Sequence, residues 1–441
     1  MALSANTVWE VRNGGNDTNG GGFVTGSSGN DYSQQVSPQW ALSGIATSGA
    51  GAVFLTATAA STMVGNICNI VSGTNFTSGW YQITAVSVGV SVTVDRACCT
   101  GVGAIGVINI GGALVSAGAA AAQWVNGNLI YVKYNATPFS ITSGSNNVAG
   151  GCLTLTGTQK LVGYDTTRTI VNTDANRPTF KASGISGVTV ITPGGNQNIY
   201  VANIIVDGNS LASMIGFGGG QMVVNCKAAN CTTTGFQGVQ YAFLCEAASC
   251  GVGYNYSGAF FGCVAHNCTG AGFYSNGGFS AQGCISYSNG GAGFDCQNTF
   301  NMMFTNCIAY GNTGSGFANN SGSQGCICIG CIAEANGSYG FNQYIRSMYC
   351  ATYNNASGGF QTATYAPSLG NITGSGTFFV NAAAQNFALN NTANQGLLLQ
   401  AANAVFNWGA SVLSTTIGYL DLGTVQHQSA GSITNIFILD D

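Results

Sequence analysis

A repeated unit between Asn225 and Phe360 constrains this sequence more than any other feature. Aligned on itself, the chain gives seven copies with a period of 18 to 24 residues, each opening with a cysteine and reaching a glycine–aromatic pair nine or ten residues later. A repeat of this length predicts one supersecondary unit stacked on copies of itself. The lead cysteines are Cys226, Cys245, Cys263, Cys284, Cys307, Cys331 and Cys350; the aromatics are Phe236, Tyr254, Phe273, Phe294, Phe317, Phe341 and Phe360.

Short strands, and not helices, fit the unit, because glycine and asparagine recur at fixed places and break its apolar runs. The cysteine and the small residue two positions later share one face of a strand, so both are predicted to point inward. The residue between them varies and includes Lys227 and Glu246, so it is predicted to point outward. Five residues after each cysteine stands Cys or Asn, and we expect this asparagine at a turn because it tolerates left-handed backbone.

The unit at 307–317, Cys-Ile-Ala-Tyr-Gly-Asn-x-x-x-Gly-Phe, resembles the repeat of right-handed parallel β-helix proteins of the pectate-lyase-like and phage tailspike-like kind. The resemblance covers roughly residues 125–365 and implies an all-β fold: a right-handed parallel β-helix, or solenoid. It specifies the fold more than the activity, because this fold serves lyases, hydrolases and inert virion parts alike.

Changes in pattern along the chain predict five segments. Residues 1–39 hold a strand at 8–12 and a glycine-rich opening loop. Residues 40–112 are predicted to form a small antiparallel β domain, and residues 113–125 a short helix that caps the solenoid. The β-helix follows over 126–365, with early coils at 129–134, 152–156, 160–164, 188–191 and 199–206. Residues 366–441 are predicted to hold a closing coil and C-terminal strands, including 419–426 and 433–439.

Composition narrows the possible partners. Only 5% of the residues are charged, and the net charge is −4. About 25% is usual in globular proteins, and a nucleic-acid-binding surface is basic, so we expect no nucleic-acid partner. The 101–125 stretch is uncharged but glycine-rich, and we expect no membrane span there.

Cysteine usage points to buried thiols. The chain has 17 cysteines, an odd number, and most fall in register with the repeat, so they are expected to act as small hydrophobic side chains and not to form disulfides. The Cys326-x-Cys328-x-x-Cys331 spacing resembles a metal pattern, but its nearest histidine, His266, belongs to another repeat. We therefore predict no metal site and no cofactor. The opening residues lack the pattern of a signal peptide, which favours folding in a reducing cytoplasm.

Candidate catalytic groups are sparse. The repeat block holds Glu246, Asp295 and Glu334 as its acids, and Glu246 and Glu334 are predicted to lie about 19 Å apart, four coils away from each other. An ion pair between Lys227 and Glu246 is expected, and His266 is predicted to face outward with no acid in register beside it. No catalytic residue is assigned. The cations at 160–168 and at Arg177 could form a sugar-facing patch or solvated loop edges.

An outward stripe of aliphatic and aromatic side chains is the main candidate for a contact site. Monomers seldom expose such a stripe, so it is expected either to pack against sister chains in a homotrimer or to stack its tyrosines on sugar rings. Its members are Val264, His266, Ile285, Tyr287, Ile308, Tyr310, Ile332, Glu334 and Tyr353.

Three functions are compatible with these features. The first is a structural protein of a bacteriophage virion (a fibre, spike or capsid-decorating β-helix), contacting other virion proteins through its N-terminal region and touching host surface polysaccharide. The second is a tailspike-type depolymerase, a lyase or glycosidase. The third is a secreted β-helix adhesin.

Overall fold

The computed structural model describes residues 3–123, 125, 127–142, 153–155, 157–168, 176–193, 199–255, 258–275, 277–297, 302–319, 326–342, 344–361 and 370–401. The chain forms two compact units, Met1–Tyr241 and Ala242–Asp441. The strands predicted at 419–426 and 433–439 lie outside the described residues.

The first unit opens with two antiparallel strands and a closed barrel. The strands are β1 (Thr7–Val11), β2 (Gly22–Val24), β3 (Trp40–Ser48), β4 (Val53–Leu55), β5 (Ile67–Ser72), β6 (Gly79–Ser87), β7 (Ser91–Val94) and β8 (Val102–Ile110), with a 3-10 turn at Ser61–Met63. The barrel closes in the order β3-β4-β7-β6-β5-β8 around Phe54, Ile70, Ile83 and Ile108. The prediction of a small antiparallel β domain near the N-terminus is confirmed.

The capping helix is shorter than the range 113–125 predicted for it. Helix α1 spans Ala117–Ala122 and begins after Ser116, whose Oγ accepts the Ala119 N–H at 3.1 Å. Residues before it cannot be helical because Leu114 is bonded to β1: its N–H donates to the Glu10 carbonyl, and its carbonyl accepts the Arg12 N–H, both at 2.9 Å. Asp17 supports this entry by accepting the backbone N–H groups of residues 115 and 116.

Coils of three parallel strands follow in the first unit. They are β9 (Leu129–Lys133), β10 (Phe139–Ile141), β11 (Leu153–Leu155), β12 (Lys160–Tyr164), β13 (Thr179–Ala182), β14 (Thr189–Pro193), β15 (Ile199–Ala202), β16 (Ile205–Asp207), β17 (Ile215–Gly218), β18 (Gln221–Val224), β19 (Lys227–Ala229) and β20 (Thr234–Gln237). Strand β1 pairs in parallel with β9, so the first strand of the chain is also the first rung of this solenoid. Sequence analysis missed β10 and β13, which are short and lack a repeat signature.

The second unit has the same architecture, with more regular coils. Its strands are β21 (Tyr241–Phe243), β22 (Glu246–Ala248), β23 (Val252–Asn255), β24 (Ala259–Phe261), β25 (Val264–His266), β26 (Phe273–Ser275), β27 (Ser280–Gln282), β28 (Ile285–Tyr287), β29 (Phe294–Cys296), β30 (Met302–Thr305), β31 (Ile308–Tyr310), β32 (Phe317–Asn319), β33 (Cys326–Ile329), β34 (Ile332–Glu334), β35 (Tyr339–Phe341), β36 (Ile345–Met348), β37 (Ala351–Tyr353), β38 (Gly358–Phe360) and β39 (Ile372–Thr373). A closing segment adds β40 (Phe379–Asn381), a 3-10 turn at Ala382–Ala384, β41 (Asn386–Leu389) and α2 (Gly396–Ala401).

Three parallel sheets run along the second unit. We call them the stripe sheet (β22, β25, β28, β31, β34, β37 and β39), the aromatic sheet (β23, β26, β29, β32, β35 and β38) and the methionine sheet (β21, β24, β27, β30, β33 and β36). The prediction of an all-β parallel β-helix is confirmed.

The aromatic column stacks ring on ring in the second unit. Successive rings from Tyr254 to Phe360 lie 4.6 to 5.1 Å apart, centroid to centroid, and their planes are nearly parallel. The aromatics from Phe236 to Phe341 are buried, whereas Phe360, at the last of these coils, is half-buried. Each inward ring therefore packs on the ring of the next coil.

The glycine before each aromatic is required for space. A Cβ built on Gly293 would lie 2.7 Å from the Gly316 carbonyl oxygen and 2.9 Å from the Asn312 Nδ2 atom. Both belong to the next coil, so a larger residue would separate the two coils. The aromatic column thus depends on this glycine column beside it.

The lead cysteines form a buried thiol column, and the structure contains them as free thiols. The Sγ of Cys284 lies 3.4 Å from the Phe260 carbonyl oxygen of the preceding coil, and Cys307, Cys331 and Cys350 repeat the contact at 3.4 Å. Burial raises the pKa of the Cys284 and Cys331 thiols, because a thiolate there would lose its hydration.

The asparagine column does not have the role predicted for it. The left-handed residues lie one position earlier: Asn267, Ser288, Gly311, Ala335 and Asn354 have φ between 50° and 59°. A second left-handed corner stands directly before each lead cysteine, as at Gly262 and Gly283. Two such corners bracket each three-residue strand of the stripe sheet.

Buried asparagines instead bond each coil to the next. Asn312 Oδ1 accepts the Asn289 backbone N–H at 3.1 Å and its Nδ2–H at 2.9 Å. Asn312 Nδ2 donates to the Ser286 carbonyl and to Asn336 Oδ1, both at 3.0 Å. Asn336 and Asn355 repeat the pattern. This amide ladder satisfies backbone groups that the turn would otherwise leave unpaired inside the protein.

The thiol column predicts selective reactivity. In the native protein, iodoacetamide at pH 7.5 should label the lead cysteines at negligible rates, because their side chains are buried and out of reach of the reagent. In denaturant without reductant, mass spectrometry should find all 17 cysteines alkylated. A mass unchanged until reductant is added would reveal disulfides and contradict the thiol column.

The amide ladder predicts a stability loss at one position. Asn312→Ala should lower the free energy of unfolding by about 1–3 kcal/mol, because the buried Asn289 N–H loses its acceptor. Thr313→Ala, at the neighbouring exposed position, is the control and should change it by about 0.5 kcal/mol or less. Urea midpoints followed by circular dichroism would test both, and equal midpoints for the two variants would contradict the ladder's role.

Candidate functional site

The stripe occupies the outward positions of the stripe sheet, in two columns held in register by the strands. Ile285, Ile308 and Ile332 are aligned in the first column, and Tyr287, Tyr310 and Glu334 in the second. Val264 and His266 precede them, and Tyr353 follows Glu334. Alternation along a strand places all nine residues on the face away from the cysteines.

The chain's own closing segment covers much of this stripe. Phe378, Phe379, Phe387, Leu389 and Leu399 form one buried cluster with Tyr287, Ile308 and Ile332. The Phe387 ring lies 5.4 Å from Tyr287 and 5.7 Å from Tyr310, centroid to centroid. Ile308 and Ile332 are fully buried. The expectation that Ile308 and Ile332 are open to sister chains is therefore wrong, because residues 378–399 of the same chain cover them.

Glu334 anchors the closing segment. Its side chain is 3% exposed, and Oε2 accepts the Phe378 backbone N–H at 2.9 Å. Burial raises the pKa of the Glu334 carboxyl group, and its hydrogen bonds with Thr377 and Phe378 offset part of this effect. The same carboxylate contributes to raising the pKa of Tyr310, where burial is the larger cause. Glu334 is thus a structural contact and lies out of reach of solvent.

An uncovered polar cluster remains at the other end of the stripe. His266 Nε2 lies 3.0 Å from Glu246 Oε1, with side-chain exposures of 14% and 29%. The imidazole stacks on Tyr287 at 4.8 Å with nearly parallel planes. In register, His266 stands between Ala248 and Tyr287, and neither is an acid. The acid that reaches it is Glu246, which stands opposite Val264, diagonally across from His266 on the adjacent strand.

Hydrogen bonding limits what this histidine can do. Asn267 Nδ2 lies 3.1 Å from His266 Nδ1, and an amide nitrogen can only donate, so Nδ1 accepts. The proton of the neutral ring is then on Nε2 and is donated to Glu246. Both ring nitrogens are occupied, which leaves none to take a proton from a substrate. Burial, reinforced by the Glu246 carboxylate, raises the pKa of Tyr287 to about 12, so its phenol stays protonated.

The other acid of the repeat block is separate from this cluster. Asp295 belongs to the aromatic sheet, where Gln297 Nε2 donates to its Oδ1 at 2.7 Å. Glu246 and Glu334 belong to the stripe sheet, in β22 and β34. Across the described residues, no group of three His, Cys, Asp or Glu side chains could hold a metal ion.

The basic residues of the early coils are internal contacts in the first unit. Arg168 bonds Glu10 and Asp31 at 2.9 and 2.8 Å. Arg177 is 4% exposed and donates to the Asn225 carbonyl at 2.8 Å. Arg168 and Arg177 therefore form neither a sugar-facing patch nor solvated loop edges, the two alternatives that the sequence had left open.

Sequence reasoning missed the fully buried carboxylate of Glu10. Arg12 Nε donates to Glu10 Oε1 at 2.6 Å, and the Tyr164 hydroxyl donates to the same oxygen. Glu10 lies in β1 and Arg12 directly follows it, and this spacing of two residues was the only local signal for the pair. The partners Tyr164 and Arg168 are more than 150 residues away, so the cluster forms only when β12 stacks on β9.

These features define the chain as a parallel β-helix protein in which a closing segment covers part of one sheet. Solved structures with a similar fold include "pectate lyase Pel9A", at 16% identity over 72% of this chain and 92% of that one, with a TM-score of 0.48. The A-module of the Azotobacter vinelandii mannuronan C-5 epimerase AlgE6 matches at 17% identity over 56% and 77%, with a TM-score of 0.43. ORF18 of Geobacillus virus E2 matches at 13% identity over 56% and 52%, with a TM-score of 0.28.

No protein-family model and no curated protein sequence matches this chain. At these identities the structural likeness concerns the fold alone, as polysaccharide-acting β-helix enzymes and a phage protein stand side by side among the similar structures. In the part of the chain that the structure describes, no helix is long and apolar enough to cross a bilayer.

Glu334 predicts a pH-dependent stability. Its folded pKa lies above its unfolded value, so its stabilising contribution is complete below the unfolded value, near pH 4.5, and is lost as pH rises through the folded value. Glu334→Gln keeps an oxygen acceptor for Phe378 and removes the charge. The variant should melt at a higher temperature than the parent at pH 7, and the difference should shrink at pH 4.

The matched control is Glu246→Gln, which changes a partly exposed acid of the same sheet. It should not reproduce the pH-dependent gain. Scanning calorimetry at both pH values would measure the three proteins. A Glu334→Gln variant that melts lower than the parent at pH 7 would show that the carboxylate stabilises the closing segment as an anion.

Proposed function

We propose that this chain is a structural β-helix protein of a bacteriophage particle, built into a fibre, spike or capsid decoration from several copies. One observation carries the proposal: the three carboxylates of the repeat block are each engaged in a local contact. Glu246 holds His266, Asp295 holds Gln297, and Glu334 holds the closing segment. A β-helix hydrolase needs two carboxyl groups roughly 5–10 Å apart across an open site.

The interior supports the same proposal. Ladders of thiols, rings and amides repeat from coil to coil in the second unit, so this solenoid is stabilised by contacts between adjacent coils. Free thiols in this number suit a protein that folds in a reducing cytoplasm, as a phage protein does in its host. A solenoid stabilised in this way suits a mechanical or spacing role in a particle.

A polysaccharide depolymerase is the second candidate, and one observation favours it. His266 and Glu246 place an imidazole and a carboxylate together at the partly exposed end of the stripe, where the imidazole stacks on the buried Tyr287 ring. If the Asn267 amide turned away, His266 Nδ1 would be free to act as a base. Without such a change, the cluster suits recognition of a sugar by hydrogen bonds to the Glu246 carboxylate.

Particle association is the direct test of the structural role. Phage particles purified by density gradient from a lysate that contains this chain should carry it in fixed stoichiometry, and immunogold should label the particle surface. A chain recovered only from the soluble fraction, or only from the cell envelope, would contradict the proposal.

Polysaccharide cleavage separates the two candidates. The purified protein should release no reducing or unsaturated sugar ends from capsular or cell-wall polysaccharides of the host. If it does release them, Glu246→Gln should abolish the release under the depolymerase reading, with Asp295→Asn as the control from another sheet. Cleavage lost in Glu246→Gln and kept in Asp295→Asn would replace the structural role with the enzymatic one.

A further inference from the structure

Two consecutive cysteines of the barrel, Cys98 and Cys99, place their thiols in direct contact. They lie in the segment that joins β7 to β8, and their Sγ atoms are 3.2 Å apart. The sequence contains no other pair of consecutive cysteines. Unlike the lead cysteines, which belong to separate coils, these two thiols share one short segment of chain. We call Cys98 and Cys99 the barrel thiol pair.

The backbone turns both thiols of the pair to one side of the chain. The Cys98 and Cys99 N–H groups both donate to the Gly51 carbonyl, at 2.9 and 3.0 Å. In an extended strand, consecutive side chains point to opposite faces, so one of the two thiols would leave the barrel interior. Here both are buried in the barrel core, where Cys68 is the third thiol. The fold therefore holds the two sulfur atoms against each other before any reaction.

A disulfide between consecutive residues is strained. Most disulfides join residues whose Cα atoms are about 4.4–6.8 Å apart, whereas consecutive Cα atoms are about 3.8 Å apart. Strain makes a disulfide easier to reduce, and disulfides of this kind are typically regulatory and not structural. Reversible oxidation therefore suits the barrel thiol pair better than a permanent crosslink does.

We propose that the barrel thiol pair is an oxidation site that takes hydrogen peroxide as its two-electron oxidant and closes reversibly to a disulfide. One sulfur attacks the peroxide: the O–O bond breaks, a sulfenic acid forms and one water molecule leaves. The second sulfur then attacks the sulfenic sulfur: the S–S bond forms, the S–O bond breaks and a second water molecule leaves. The two thiols together give up two electrons and two protons, and the peroxide is reduced to water.

Cys99 is the sulfur that we expect to react first. Burial raises the pKa of the Cys98 thiol, and its hydrogen bond with Cys99 adds to this effect, so Cys98 keeps its proton. Cys99 retains 3% exposure and is followed by the exposed Thr100, so it lies just beneath the surface. Hydrogen peroxide is not much larger than water, and a small opening of this segment admits it. Cys98 then supplies the thiol that closes the disulfide.

Oxidation alters the hydrogen bonds that tie this segment to the barrel. The Cys98 carbonyl accepts the Thr77 N–H at 2.8 Å, and the Cys99 carbonyl accepts the Gly51 N–H at 2.9 Å. Closing the disulfide brings the sulfur atoms from 3.2 Å to about 2.05 Å and turns the peptide between them. The barrel would thus differ between a reducing cytoplasm and oxidising surroundings. This inference concerns the barrel alone and does not depend on the proposed function.

Peroxide treatment of the full-length protein, purified with reductant and then freed of it, tests the proposal. After denaturation and alkylation, trypsin releases residues 97–133, which contain the barrel thiol pair and no other cysteine. In the treated protein this peptide should lack two hydrogen atoms and carry no alkyl group, while the lead cysteines remain alkylated. Dithiothreitol should restore both alkylation sites. In the oxidised native protein, amide hydrogen exchange at Thr77 should be about tenfold faster.

Three variants separate the roles of the barrel thiols. Cys98→Ala removes the thiol that closes the disulfide, so Cys99 should gain two oxygen atoms as a sulfinic acid. Cys99→Ala should leave Cys98 alkylated after the same treatment. The matched control is Cys68→Ala, which removes the third buried thiol and should form the disulfide as the parent does.

The parent's peptide decides the outcome without any variant, so a substitution that unfolds the barrel does not weaken the test. The proposal is overturned if residues 97–133 of the treated parent still carry two alkyl groups, or if this peptide is crosslinked to the one that contains Cys68. A Cys68→Ala variant that folds but forms no disulfide would also overturn it.

Discussion

Stacking of each coil on the next in register is the constraint on which the rest of the second unit depends. Parallel strands place each side chain directly against its equivalent one coil away, so every inward position must accept a neighbour of its own kind. Aromatic rings meet this condition by stacking, thiols by contacting carbonyl groups of the preceding coil, and asparagines by bonding amide to amide. A column of like charges could not, since neighbours would repel at the same spacing.

The outward apolar side chains of the stripe sheet and of the methionine sheet differ in how far they are covered. On the stripe sheet, the aliphatic columns coincide with the coils that the closing segment crosses, and Glu334 fixes that segment by binding a backbone N–H. On the methionine sheet, the outward apolar side chains keep part of their surface exposed. The outward side chains of a solenoid cannot be buried in its interior. Each outward face is therefore covered by a further segment or a partner, or stays in contact with water.

The local contacts of Glu246 and Glu334 limit the chemistry that these two carboxylates can perform. A carboxylate used in catalysis needs an accessible oxygen and a partner held at a working distance. Glu334 is buried, so its oxygens are not accessible. Glu246 has His266 as its partner, but Asn267 and Glu246 occupy both nitrogens of the His266 ring.

The sequence by itself determined the repeat, the inward columns and the outward position of the stripe. These follow from local alternation and from spacing: Cys284 and Ser286 share a face, and Gly293 precedes Phe294, in every arrangement that stacks the coils. The reason for the asparagines was predicted wrongly, because tolerance of left-handed backbone is a property of one residue, whereas the bond from Asn289 to Asn312 needs two coils in place.

Only the tertiary structure decided what covers each face. Phe387 and Tyr287 are 100 residues apart, and Glu10 and Arg168 are 158 apart, so no window of sequence relates them. The same applies to Leu114, whose backbone hydrogen bonds with Glu10 and Arg12 keep it out of the helix that its own sequence predicts. Each of these contacts arises from the path of the chain between distant segments, and local sequence pattern contains no record of that path.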